Sequence, residues 1–340
     1  MQSGNFERVV ISMHCKALQI SGGKFKDLSI TSYGTSELFS INNLIIIFHD
    51  IAGNISISKL KITRTKLLGT IQKDTDFSLK NIEFTHFGMD NLFNNGKARF
   101  FDFLPITNEQ EISSIFITNS NLAKADFFGI PMNKVGRLQI RNSYLIDCTF
   151  VNIIWKDNFD LVMDGADPAV LLDRKEMFRQ LKYSYSKQGD SFLEHRFHSL
   201  EMNIYRRYLK KKRSTFSDKN RYGKWRWERQ TSIILWFSSW SSNYGQSFKA
   251  PLLILLIAGS ILFPIMLISG FLKDFQSGLH FNFSWQSIST TIGHFCNFLN
   301  PLRRYDTMDI NAGLLIDFLM RIIASYCIYN FIRATRRFVK

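Results

Sequence analysis

A chain of 340 residues, 45% of them apolar, has enough hydrophobic side chain for a packed core and too much for a disordered one, and its length suits about two domains. Its four cysteines, Cys15, Cys148, Cys296 and Cys327, lie far apart with no CxxC pair, which excludes a disulfide scaffold and a cysteine zinc site. The formal net charge of +15 is unevenly carried, with basic residues and long apolar runs concentrated after residue 200. The opening stretch, MQSGNFERVVISMHCKALQISGG, has no charged start followed by an apolar run, so no secretory signal is expected and the first part of the chain is placed in the cytosol.

Residues 1–160 carry short segments of alternating apolar character: LQISGGKF (18–25), FSINNLII (39–46), ISISKLKI (55–62), FSLKNIEF (77–84), IFITNSNL (115–122) and LQIRNSYL (138–145). Alternation at period two predicts strands. Recurrence near 22 residues predicts one coil of a β-solenoid per repeat, with a β-sandwich of irregular hairpins as the alternative. The wider gap before 115 holds NNGKARFFDFLPITNEQ, which reads as a loop inserted into one coil. Asn43, Asn81, Asn119 and Asn142 fall at the same place in four segments, where Asn adopts left-handed turn geometry and stacks its amide on the next coil. In NSNLAKADFFGI and NSYLIDCTFVNI apolar residues stand five apart, Leu122 with Phe127 and Leu145 with Phe150. This spacing resembles the pentapeptide-repeat family, which implies a right-handed quadrilateral β-helix.

Residues 161–215 read as a helical hairpin. Asp167-Pro168 is an N-cap followed by proline at the first helical position. Gly189 suits the end of that helix and Asp190 caps the next. The hairpin is similar to a single tetratricopeptide unit and is expected to connect the solenoid to the C-terminal part of the chain. Asp160, Asp164 and Asp167 form the one acidic cluster, explained by capping and solvation. His195 and His198, three apart beside Glu194, have the spacing to share a metal, but no motif supplies a third ligand, so no metal site is expected. There is no GxxxxGK[ST], GxSxG or HExxH, so no catalytic residue, cofactor or enzymatic activity is expected.

Residues 216–249 form a basic and aromatic segment. Eleven Lys and Arg lie in 206–229, and Trp225, Trp227, Trp236 and Trp240 are close by. Beside a membrane span, such a run points to anionic lipid headgroups at about 1 kcal/mol per basic residue, rather than to nucleic acid. Lys210, Lys211, Lys212, Arg213, Trp225 and Trp227 are the expected membrane-surface contacts, with 229–242 lying along that surface as a helix. Residues 250–272 are uncharged and as a helix reach roughly 34 Å, enough for a bilayer core. A second span is expected at 312–332, where Asp317 and Arg321, four apart, pair on one face. That stripe continues through Ser325, Tyr329 and Arg333, and faces a partner helix or a water-filled cavity. Lys249, Arg333, Arg336, Arg337 and Lys340 flank the spans on one side, so both termini are expected in the cytosol.

The region 250–340 is thus a two-span membrane domain with a 273–311 loop. In that loop, Trp285-Gln-Ser-Ile-Ser-Thr290-Thr291-Ile292-Gly293-His294-Phe295 resembles the pore helix and filter of potassium channels. The resemblance implies a re-entrant loop, a homo-oligomer with a tetramer favoured, and a constriction at Thr290, Thr291, Gly293 and His294, with Asp317 and Arg321 on the inner helix. Phe295 stands where the second filter glycine belongs, which departs from the pattern. The composite expectation is a multi-pass protein of the bacterial inner membrane. Its cytosolic solenoid senses or scaffolds through an unknown protein ligand, and its membrane part conducts ions or perturbs the bilayer. A non-conducting membrane-anchored scaffold and a membrane-depolarising defence effector remain the alternatives.

Overall fold

The computed structural model describes residues 5–11, 15–31, 39–106, 112–156, 167–215, 222–268, 285–303 and 312–336. The chain forms two compact units, Met1–Phe216 and Ser217–Lys340.

Among the described residues the first unit holds nine strands: β1 (Asn5–Ile11), β2 (Cys15–Thr31), β3 (Phe39–Ile71), β4 (Thr75–Asn94), β5 (Lys97–Pro105), β6 (Ser114–Thr118), β7 (Ala125–Phe128), β8 (Arg137–Arg141) and β9 (Thr149–Val151). Every pairing between them is parallel, which removes the β-sandwich alternative and gives a β-solenoid of about five turns. Equivalent residues stack from coil to coil. Ile30 lies opposite Ile57, and the column continues through Leu79, Phe100, Phe127 and Phe150. A second column runs through Leu67, Met89, Ile117 and Ile140.

Burial along β4 shows why the chain coils. Phe77, Ile82, Phe87 and Leu92 are buried, as are Leu79, Phe84, Met89 and Asn94, so two inward residues recur every five positions. A strand alternates at period two, so a five-residue unit needs one residue out of phase. That residue turns the corner with positive φ. One corner ladder is Lys59, Asn81, Asp102, Gly129 and Asn152, with φ between 51° and 64°; a second is Asn91, Asn119 and Asn142, with φ between 46° and 50°. Asn is the side-chain-bearing residue most at ease there, after glycine. Asn142 donates to the Asn119 amide oxygen at 3.3 Å. The four asparagines matched in sequence therefore do not share one corner. Asn81 belongs to the first ladder and Asn119 and Asn142 to the second, while Asn43 has no positive φ. The two arms of a coil repeat the same five-residue chemistry, so phase alone does not separate them. The expected loop insertion is likewise replaced in part by β5, whose Ala98, Phe100, Phe103 and Pro105 turn inward.

The core is an aromatic column. Phe48 and Phe77 meet edge to face at 5.0 Å, Phe100 stacks on Phe127 at 4.8 Å, and Phe127 on Phe150 at 5.2 Å. The column leaves the sheet and enters two helices, α1 (Pro168–Gln188) and α2 (Ser191–Thr215), through Tyr185 and Phe197, with centroids 5.8 Å and 5.6 Å apart at the two steps. Asp167 caps α1 by accepting from the Ala169 N–H, Gly189 ends it at φ 76°, and the Asp190 carboxylate accepts from the Leu193 N–H at 3.0 Å. The hairpin expected as a connector lies with α1 across the last coil. Gln180, Ser184 and Gln188, one turn apart, face the strands: Gln180 accepts from the Leu145 N–H at 3.2 Å, Gln188 from that of Phe150 at 3.2 Å, and Ser184 donates to the Cys148 carbonyl at 2.7 Å. These bonds satisfy edge groups that a solenoid end otherwise leaves bare.

The second unit is helical: α3 (Tyr222–Ser242), α4 (Lys249–Ile268), α5 (Trp285–Leu299) and α6 (Ala312–Arg336). Two of these, α4 and α6, are long and apolar enough to cross a membrane. They pack together around Phe263, Met266, Met320 and Ala324, joined by Phe298 of α5. Pro264 lies inside α4, where it removes one ladder hydrogen bond.

Candidate functional site

One buried carboxylate and two arginines of the second unit meet where α5 ends. Gly259 of α4 makes the approach possible, because a Cβ there would stand 2.5 Å from a Leu299 methyl and 3.2 Å from the Phe295 ring. With α5 seated, Phe295 and Phe298 meet Phe263 at 5.5 Å and 5.7 Å. The chain then turns, and Arg303 folds back. Its side chain is fully buried; it donates to the Phe298 carbonyl, to the Asn300 carbonyl at 3.3 Å, and through Nε to the Asp317 carboxylate at 2.7 Å. Arg321 donates to the other Asp317 oxygen at 2.7 Å. One carboxylate is therefore shared by two guanidiniums, and the Arg303 fork also satisfies carbonyls at the C-terminus of α5, the negative end of its dipole.

The expected Asp317–Arg321 pair is present. Arg303 escapes the sequence pattern because it lies outside both expected spans. The signal for it lies in the rule that a carboxylate inside an apolar helix needs a buried partner, for which an arginine just past a helix end is well placed. The stripe beyond Arg321 does not stay on one face. Spacing by four on a 3.6-residue helix drifts about 40° per step, and Ser325 and Tyr329 are exposed. Tyr326 instead reaches the Ser241 hydroxyl at 2.8 Å, and Asn330 donates to the Tyr326 carbonyl at 2.9 Å.

Thr290, Thr291, Gly293 and His294 all lie within α5. Thr290 donates back to the Gln286 carbonyl at 2.9 Å, so this stretch is a continuous helix rather than an extended run of free carbonyls. Among the described residues there is no re-entrant excursion, and 269–284 and 304–311 lie outside them. Gln286, Thr290, Gly293 and Asn297 are exposed along one side of α5, while Trp285, Ile288 and Ile292 are exposed on the other side of the helix.

The expected membrane-surface residues fall in different units. Lys210, Lys211 and Lys212 end α2, with Lys212 over the Tyr208 ring at 5.7 Å. Trp227 is exposed on α3. The side chains of Arg213 and Trp225, and residues Asp160 and Asp164, lie outside the described residues. Helix α3 is inverted for a water-soluble fold. Ser241 and Ser242 are buried, whereas Ile234, Trp236 and Trp240 face outward, the two tryptophans stacked 4° from parallel.

No protein-family model, curated protein or solved structure matches the chain.

Proposed function

We propose that this protein is a membrane-anchored platform, in which α4 and α6 cross a bilayer and the solenoid is a cytosolic surface for binding a protein partner. The observation that carries the reading is the outward face of α4. Leu252, Leu253, Leu256, Ile257, Ile261 and Ile265 are each between 44% and 60% exposed. A core helix of a soluble protein hides such residues, and a lipid-facing helix presents them. Lys249 at the start of α4 and Arg333 and Arg336 at the end of α6 support both termini lying on the cytosolic side. The exposed tryptophans of α3 support an interfacial position for that helix, and the lysines ending α2 support contact with anionic headgroups. The five-residue burial period supports a pentapeptide-repeat-like solenoid.

The helical course of 285–299 supports an anchor over a conducting pore, because backbone carbonyls within a helix are engaged by its own N–H groups and are not free to replace ion hydration. The test combines two measurements on the full chain. Membranes containing the protein are washed in alkaline carbonate and then probed with protease from each side; retention with both ends cleaved from the cytosolic side is expected, and release into the wash overturns the anchor. Liposomes carrying the protein are assayed for ion flux. No flux above empty liposomes is expected, and flux that Gly293→Val abolishes replaces the platform with a channel.

A further inference from the structure

Helix α5 is held by one end and one side. Phe295, Phe298 and Leu299 pack on α4, and Arg303, anchored by Asp317, fixes the rotation of the helix against α6. This leaves Gln286, Thr290, Gly293 and Asn297 pointing away from both neighbours. Their spacing of four, three and four residues puts them in one straight seam, the pattern by which two helices meet along their length. Three of the four carry hydrogen-bonding side chains, and a Cβ built on Gly293 meets nothing within 4 Å, so the centre of the seam is open to a second backbone. Helix α5 carries no Asp, Glu, Lys or Arg, so no like charges meet across the seam.

We propose that this seam is where two copies of the chain join, α5 against α5. The inference rests on the membrane reading above, because the unit's other helices turn apolar side chains outward, and in that medium an uncovered side-chain amide, such as those of Gln286 and Asn297, seeks a polar partner. A second copy is the occupant the seam itself specifies. The glutamine and asparagine side chains each donate and accept, so the surface is complementary to itself under a two-fold axis, and glycine at the centre permits close approach. The outward Trp285, Ile288 and Ile292 remain for lipid.

The experiment uses the full chain in detergent and in nanodiscs. Light scattering of the parent is expected to give at least twice the single-chain mass, and Gly293→Leu, which fills the gap, is expected to halve it. A milder variant guards against misfolding: Gly293→Cys in a Cys296→Ser background is expected to form a disulfide-linked dimer at least tenfold faster than Ile257→Cys, which sits on the lipid-facing side of α4. A monomeric parent, or Gly293→Leu at the parental mass, overturns the proposal. So does rapid labelling of Gln286→Cys and Asn297→Cys by a bulky membrane-impermeant maleimide, since the seam then faces water. Carbonate extraction of the same samples reports separately on the membrane reading, so loss of the anchor and loss of the seam are distinguishable.

Discussion

The two units of this chain solve opposite packing problems. In the solenoid the inward residues Ile57, Leu79 and Phe100 are at most 1% exposed, and outward residues include polar ladders, such as Asn54 donating to Asp27 at 3.0 Å and Ser58 to Thr31 at 3.1 Å. In the helical unit Phe263, Met266, Phe298, Met320 and Ala324 share the interior with an ion triad and serines, while leucine, isoleucine and tryptophan lie outside. Hydrophobic burial drives the first arrangement. In the second, close approach at Gly259 and satisfied polar groups add to the apolar packing, which is what the membrane reading proposed above requires.

That contrast is open to attack from both sides. The largest effect is expected from removing the centre of either core. Asp317→Leu leaves the buried Arg303 without its counter-charge and is expected to cost about 3–5 kcal/mol; protease cleavage within α5 of the detergent-solubilised protein should rise sharply, while cleavage within the solenoid stays unchanged. Phe100→Ala opens the aromatic column between Phe77 and Phe127 and is expected to cost a similar ~3–5 kcal/mol, read as a shift in the denaturant midpoint of the solenoid transition with the helical unit unaffected. Equal sensitivity of both units to either change would erase the distinction.

Smaller effects test finer features. Gln188→Leu strands the Phe150 N–H and is expected to cost about 1–3 kcal/mol, seen as faster amide exchange at β9. At the corner, Asn119→Val is expected to cost roughly 1–2 kcal/mol from its left-handed backbone, whereas Asn119→Gly is expected to fall within a few tenths of the parent by thermal melting. The smallest effect concerns acid. Burial raises the Glu201 carboxyl, but hydrogen bonds from His198 and Lys182 outweigh it and hold the group below its ordinary range. A carboxylate depressed in the folded state adds stability above its unfolded value, about 4.3, and loses it as pH falls through the folded one. The α1–α2 hairpin should therefore weaken below about pH 4, and Glu201→Gln should flatten that acid limb in a pH series of melting curves.

What sequence revealed was mostly local. The caps Asp167, Gly189 and Asp190 declared both hairpin helices, because capping is decided within a few residues. The uncharged run after Lys249 declared α4, and the coil period declared the solenoid. The features that stayed hidden depended on contacts distant in sequence. Strand β5 passed for a loop because its Phe101, Asp102 and Phe103 break alternation at a corner. The partnership of Arg303 with Asp317 crosses a turn of the chain, and the role of Gln180, Ser184 and Gln188 is visible only once α1 lies on the last coil. In the candidate site, Asp317 and Arg321 were legible from their spacing. The helical state of Thr290 to His294 was obscured by likeness to a motif whose backbone is extended.

The way α1 closes the sheet has a consequence for how such a chain can lengthen. From β3 onward the coils share an inward row and the corner ladder of Lys59, Asn81, Asp102, Gly129 and Asn152, so duplicating a coil between β3 and β5 inserts a unit whose two faces already match the coils above and below. At the last coil the match is to one particular helix, through three side chains a turn apart and a tyrosine set on Phe150. Growth of this architecture is therefore confined upstream, and its downstream boundary is inherited as a fixed piece.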